Sequence, residues 1–218
     1  PYFKLENVQK GVFDLATRLY GITFKEVNNI PLYHPEVKTY EVYDNDGSFL
    51  AVLYTDFFPR ESKGGGAWMT QFRGQKMVDG KDQRPLVSLV MNFTKPTNTK
   101  PSLLTFNEVT TFLHEMFSKC TYGSTSMDGV SRDFVELPSQ FMENYALEKE
   151  WLDTWAVHYQ TGEKIPQEYI DKIKKSSNFQ AGYASDRQLS FGMVDMAWHT
   201  ITEPVTEPLA DFEQRAMG

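Results

Sequence analysis

The chain has 218 residues, 40% hydrophobic and 14% aromatic, with 22 Lys and Arg against 29 Asp and Glu, a net charge of −7. That composition excludes wholesale disorder. An acidic chain with no basic stripe argues against a nucleic-acid partner, and no apolar run approaches the ~18 residues of a membrane span.

The length suffices for one large domain or two small ones. The single cysteine, Cys120, leaves no internal disulfide and fits a reducing compartment, without excluding an exported protein. The chain opens at Pro1, directly into structured-looking sequence and with no signal peptide, as an excerpt of a longer protein would.

Residues 6–20 place Val8, Val12, Leu15, Ala16 and Leu19 on one helical face, and Gly21 reads as the stop. Val37 to Tyr43 and Phe49 to Phe57 read as strands joined by the turn Asp44-Asn45-Asp46-Gly47, a β-hairpin. Residues 58–66 form a loop ending in three glycines, which either admit close backbone approach or make a flexible turn. They lack the spacing of a phosphate cradle. Leu86 to Phe93 predicts a third, buried strand, followed by a Pro-containing loop to Ser102. Thr105 and Glu108 form a capping box, and Phe106, Val109, Phe112 and Leu113 recur at helical spacing up to His114-Glu115. A long helix is predicted over 133–155, with further helices over 166–175, 179–200 and after Pro208. The expected fold is α+β, mainly α: a helix, a small antiparallel sheet, then a helical second half.

The chemistry gathers between Thr105 and Gln140. In a zinc helix of the H-E-x-x-H type two histidines four residues apart share one face, the intervening Glu acts as general base, and a neighbouring helix supplies a third ligand. Here His114 and Glu115 are present, Glu136 follows, and the fourth position after His114 is Ser118, a poor zinc ligand. Cys120 is six residues on and points to a different side of a helix. His34, His158 and His199 have no ligand spacing to His114. Taken alone, His114 reads as a partly buried structural histidine. Asp133 reads as a first-turn acid in a helix that Ser131 could cap, and Glu136 as a helix surface residue.

The wider sequence resembles the M3 zinc metallopeptidases, the group of thimet oligopeptidase, oligopeptidase A and bacterial peptidyl-dipeptidase. The resemblance runs over nearly the whole chain. It is carried by residues 19–24, Tyr33-His34-Pro35-Glu36-Val37, Gly65-Gly66-Ala67-Trp68, Asn92-Phe93 and residues 106–111, and above all by Arg132-Asp133-Phe134-Val135-Glu136-Leu137-Pro138-Ser139-Gln140. Residues 158–162 and Gly182-Tyr183-Ala184 add to it.

The resemblance implies zinc as cofactor, with His114 and Glu136 as ligands, Glu115 as catalytic base and Asp133 orienting a ligand histidine. It implies that Gly65, Gly66, Ala67, Trp68 and Asn92 border a peptide-binding cleft, where a strand edge pairs with an extended peptide. The whole chain, 1–218, would then be part of one catalytic domain: helix and sheet to 104, and the helical zinc-site region from 105. Expected partners are short peptides, with no nucleic acid and no membrane, acting on a monomer in the cytoplasm or, alternatively, the periplasm.

The departures are as specific. The family motif runs H-E-F-G-H-A-x-H-G before a Met-Phe-Ser-like segment, whereas Glu115 here leads straight into Met116-Phe117-Ser118. A deletion of about seven residues accounts for this. It removes nearly two whole turns, preserves helix phase and shortens the helix by ~10 Å. The segment 126–129 also departs from the family pattern, and the family's Tyr- and Gly-rich oxyanion segment is absent. The expectation is therefore a zinc oligopeptidase or peptidyl-dipeptidase lineage with impaired zinc binding and activity in this chain. The alternative is a non-catalytic peptide-binding relative or inactive fragment.

Overall fold

The computed structural model describes residues 1–115, 131, 134 and 136–217, which divide into two compact units, 1–167 and 168–218. The first begins with α1 (Leu5–Tyr20), whose Val8, Val12, Leu15 and Ala16 are buried as the apolar spacing predicts. It ends at Gly21, whose φ of 74° lets its N–H bond back to the Thr17 carbonyl at 2.8 Å.

Five strands form one sheet in the order β1 (Thr23–Val27), β2 (Lys38–Tyr43), β3 (Phe49–Asp56), β7 (Leu86–Val90), β4 (Trp68–Arg73). The β2–β3 hairpin turns on Asp44–Gly47 as expected, with the Gly47 N–H donating to the Asp44 carbonyl at 2.9 Å. The other neighbours are antiparallel too, except β3 and β7, which run parallel, so the sheet is mixed rather than antiparallel throughout. A separate two-stranded ribbon, β5 (Lys76–Val78) with β6 (Lys81–Gln83), leads from β4 towards β7.

On one face of the sheet α1 lays Phe13 flat on Phe24, with centroids 4.0 Å apart, and edge-on to Tyr40. The other face carries Tyr54 and Val52, covered by Val37 and Ile30, with Tyr33 and Phe72 closing an aromatic cluster.

α2 (Phe106–His114) starts at the expected capping box: the Thr105 hydroxyl accepts from the Glu108 N–H, and Glu108 accepts from the Thr105 N–H at 2.7 Å. The other Glu108 oxygen takes the Thr94 N–H at 3.0 Å and ties the helix to the segment leaving β7. Phe112 packs fully buried between Phe57 and Phe93.

The long helix expected over 133–155 is broken. α3 (Glu136–Glu143) passes through a 3₁₀ turn, Asn144–Leu147, to the short α4 (Lys149–Leu152), with Glu148 extended between them. The break lets Trp151, Leu152 and Trp155 turn onto α1, where the Trp151 indole donates to the Gly11 carbonyl at 3.0 Å. Gly11 admits this approach, because a Cβ there would lie 2.3 Å from the Trp155 ring.

The second unit holds α5 (Gln167–Ser176, entered from the first unit), α6 (Ala181–Thr200) and α7 (Leu209–Met217), close to the predicted helices. Trp198 of α6 packs on Phe212 of α7 with centroids 4.4 Å apart. No described helix is long and apolar enough to cross a membrane.

Candidate active site

His114 is the last residue of α2, and Glu115 caps that helix. Glu136 and Glu143 open and close α3. Seven residues at 100° each bring Glu143 back to the face of Glu136, ~10 Å further along the axis. The two carboxylates therefore straddle the imidazole. Nε2 lies 2.7 Å from a Glu136 oxygen, and Nδ1 lies 2.7 Å from a Glu143 oxygen. Contact with two carboxylates requires both ring nitrogens to donate, which is the imidazolium form. Burial disfavours that charge, but the Glu143 hydrogen bond and the charges of Glu136, Glu143 and Glu115 outweigh it and hold the His114 pKa above its ordinary value.

Glu115 faces a largely apolar cavity of about 340 Å³, lined among others by Tyr20, Leu53, Met69, Val87 and Leu89. Burial is the main reason its pKa is raised. The Glu136 charge adds to the shift, while His114 and a hydrogen bond from the Met69 backbone N–H oppose it. A carboxyl with a raised pKa beside a histidine is the kind of group that serves in general acid–base chemistry.

Met69 belongs to β4, which lies at one end of the sheet order among the described strands, with its Met69 N–H turned to Glu115. The loop entering β4 holds the predicted cleft residues Gly65, Gly66, Ala67 and Trp68. Asn92, also predicted there, lies just beyond β7, and its side-chain amide donates to the carbonyls of Gly64 at 2.9 Å and Gly66 at 2.8 Å. It clamps the glycine loop.

The structure thus brings together His114, Glu115 and Glu136, and adds Glu143, which sequence reasoning missed. The seven-residue repeat Glu136…Glu143 on one helix was the available signal. Asp133, Ser118 and Cys120 lie outside the described residues. Among the described residues no three His, Cys, Asp or Glu side chains form a group able to hold a metal. Glu143 occupies the ring nitrogen opposite the one Glu136 contacts, which leaves His114 and Glu136 as the convergent pair among the described residues. A catalytic zinc takes three protein ligands, and the described residues supply two of them in His114 and Glu136.

The chain matches Peptidase family M3 over residues 1–216, and it belongs to that family. It is 40% identical to dipeptidyl carboxypeptidase of Salmonella typhimurium, an alignment covering 100% of the chain and 33% of that protein. It is also 40% identical to oligopeptidase A of Escherichia coli, over 98% of the chain and 34% of the relative. With the organellar oligopeptidase A of Arabidopsis thaliana it shares 38% identity over 99% of the chain and 29% of the relative. The chain spans about a third of the length of the curated relatives it matches. The Salmonella alignment occupies 227 positions against 218 residues of chain, so that relative carries about nine residues in this region that the chain lacks.

Proposed function

We propose that this chain is the zinc-helix portion of a catalytic domain whose lineage hydrolyses short peptides, as oligopeptidase or peptidyl-dipeptidase, and that in this chain zinc binding and hydrolysis are impaired. The observation that carries the reading is the His114 cluster. Two carboxylates, Glu136 and Glu143, contact one imidazole, with the Glu115 charge nearby, and His114 and Glu136 are the pair that converges on Nε2. Family membership supports peptide hydrolysis as the lineage's chemistry.

The geometry supports the following roles. Glu143 fixes the His114 ring by accepting from Nδ1, which leaves Nε2 as the atom that meets an incoming group. Only the neutral ring can act as a ligand, so metal binding competes with the Nε2 proton. Glu115, half-buried beside the apolar cavity, is the proton acceptor. The edge of β4 and its glycine loop pair with an extended peptide by main-chain hydrogen bonds.

A second reading, a non-catalytic peptide-binding relative, is favoured by that same two-ligand set and by the shorter chain in the alignment. A quenched short peptide offered to the purified chain separates the readings. The impaired-enzyme reading expects a trace of cleavage that a chelator removes. Peptide binding with no chelator-sensitive cleavage at any zinc concentration overturns it in favour of the binding reading.

A further inference from the structure

The loop between β3 and β4 leaves the sheet at Asp56 and re-enters at Trp68. Both residues pair with Val90 of β7, so the loop crosses the end of that strand. Its anchor is a buried charge pair. The Lys63 and Asp56 side chains are each 2% exposed. The three Lys63 ammonium protons have three acceptors: an Asp56 carboxylate oxygen at 3.0 Å, the Asp56 carbonyl at 2.9 Å and the Phe58 carbonyl at 2.9 Å. The same Asp56 oxygen takes Arg60 Nη1 at 2.8 Å, and its other oxygen takes the Tyr33 hydroxyl at 3.0 Å. Tyr33 in turn contacts the buried Ser88 hydroxyl of β7 at 3.1 Å. Immediately after Lys63 come the three glycines, held from the β7 side by Asn92.

Of these glycines only Gly66, at φ +86°, needs a glycine's backbone freedom. A Cβ on Gly65 would meet nothing within 4 Å, and one on Gly64 only the rim of Trp68 at 3.8 Å. Among the described residues nothing therefore demands bare backbone at those two positions, and the open space beside them suits an approaching main chain. A triple glycine left unanchored would be mobile, and capture of a peptide would then cost the entropy of ordering it.

We propose that Asp56 and Lys63 are positioning residues: a buried latch that holds the Gly64–Trp68 loop and the entry to β4 in the conformation that receives peptide backbone. The peptide half of this proposal rests on the reading of β4 given above.

The test uses the double variant Asp56→Leu with Lys63→Met, which removes both buried charges of the pair and leaves the partly exposed Arg60 to be met by solvent. In the unaltered chain the ¹⁵N order parameters of the Gly64, Gly65 and Gly66 amides should lie near the rigid value of about 0.85, and in the double variant they should fall below about 0.6. Affinity for a fluorescently labelled extended peptide should fall at least about tenfold, while the thermal midpoint moves little. Unchanged order parameters in the folded double variant overturn the latch, as does a loosened loop with unaltered peptide affinity. If the double variant does not fold, the unaltered chain still decides. Lys63 should react with an amine-acylating reagent at least about tenfold more slowly than Lys25, which is 69% exposed, and equal rates overturn the latch. If the unaltered chain binds no peptide, the reading of β4 fails, and the order parameters still decide the latch.

Discussion

The Asp56–Lys63 latch and the His114 cluster are both built from charged side chains, and they differ in balance. The latch is closed. One buried carboxylate meets an ammonium, a guanidinium and a phenol, and every ammonium proton has an acceptor. The His114 cluster is open. Two carboxylates share one imidazole, and the Glu136 and Glu143 side chains are 57% and 38% exposed. A balanced buried pair serves as scaffold, because breaking it strands a charge. An unbalanced, solvent-reachable cluster contributes little to folding.

The largest expected effect comes from breaking the balanced region. Asp56→Asn leaves Lys63 buried opposite a neutral amide and should cost about 3–5 kcal/mol in urea unfolding, whereas the double variant recovers most of that loss. A single variant that unfolds like the unaltered chain would remove the contrast between the two regions.

Acid sharpens the same contrast. Burial alone would raise the Asp56 pKa, but hydrogen bonds from Arg60, Lys63 and Tyr33 outweigh it and hold the carboxyl below its ordinary value. A carboxylate held low in the fold contributes stability that is complete above the unfolded value of about 3.9 and is lost as pH falls through the folded one. The urea midpoint should therefore drop between about pH 5 and pH 2, and the drop should be smaller in the double variant.

The open cluster should respond locally. Glu143→Gln removes one charge next to Nδ1 and should bring the His114 pKa down towards about 6.5, followed by the NMR shift of its ring protons. For a histidine with a raised folded pKa, the pair's stabilisation is present at acid pH and lost as pH rises through that value. With both partners partly in solvent, the change in stability should stay below about 1 kcal/mol. A larger loss would mean that the His114 cluster is scaffold too.

What could be read in advance depended on how local the signal was. The capping box of Thr105 and Glu108 and the Asp44–Gly47 turn each sit within four residues, and both appear as expected. The parallel pairing of β3 with β7 joins strands some thirty residues apart and has no local signature. Lys76–Val78 and Lys81–Gln83 are short and largely exposed, and carry no apolar alternation to mark them as strands. The break in the 133–155 helix contains neither Gly nor Pro, and it is imposed by the packing of Trp151 and Trp155 against α1. In the site, His114, Glu115 and Glu136 were legible through family motifs, while Glu143 needed the two-turn spacing of α3. The pairing of Asp56 with Lys63 carries no sequence signal, because a buried ion pair in a glycine-rich loop differs from an exposed one only in three dimensions.

The central claim is that His114 and Glu136 form a site one ligand short. Zinc stoichiometry and affinity of the purified chain, measured by metal analysis and calorimetric titration, test it most directly. Loss of even an outer partner costs roughly 10–100-fold in affinity, and loss of a ligand should cost more. The expected result is substoichiometric zinc after dialysis and weak binding that Glu136→Gln abolishes. Tight, equimolar zinc that survives dialysis, accompanied by chelator-sensitive cleavage of a short peptide, would contradict it.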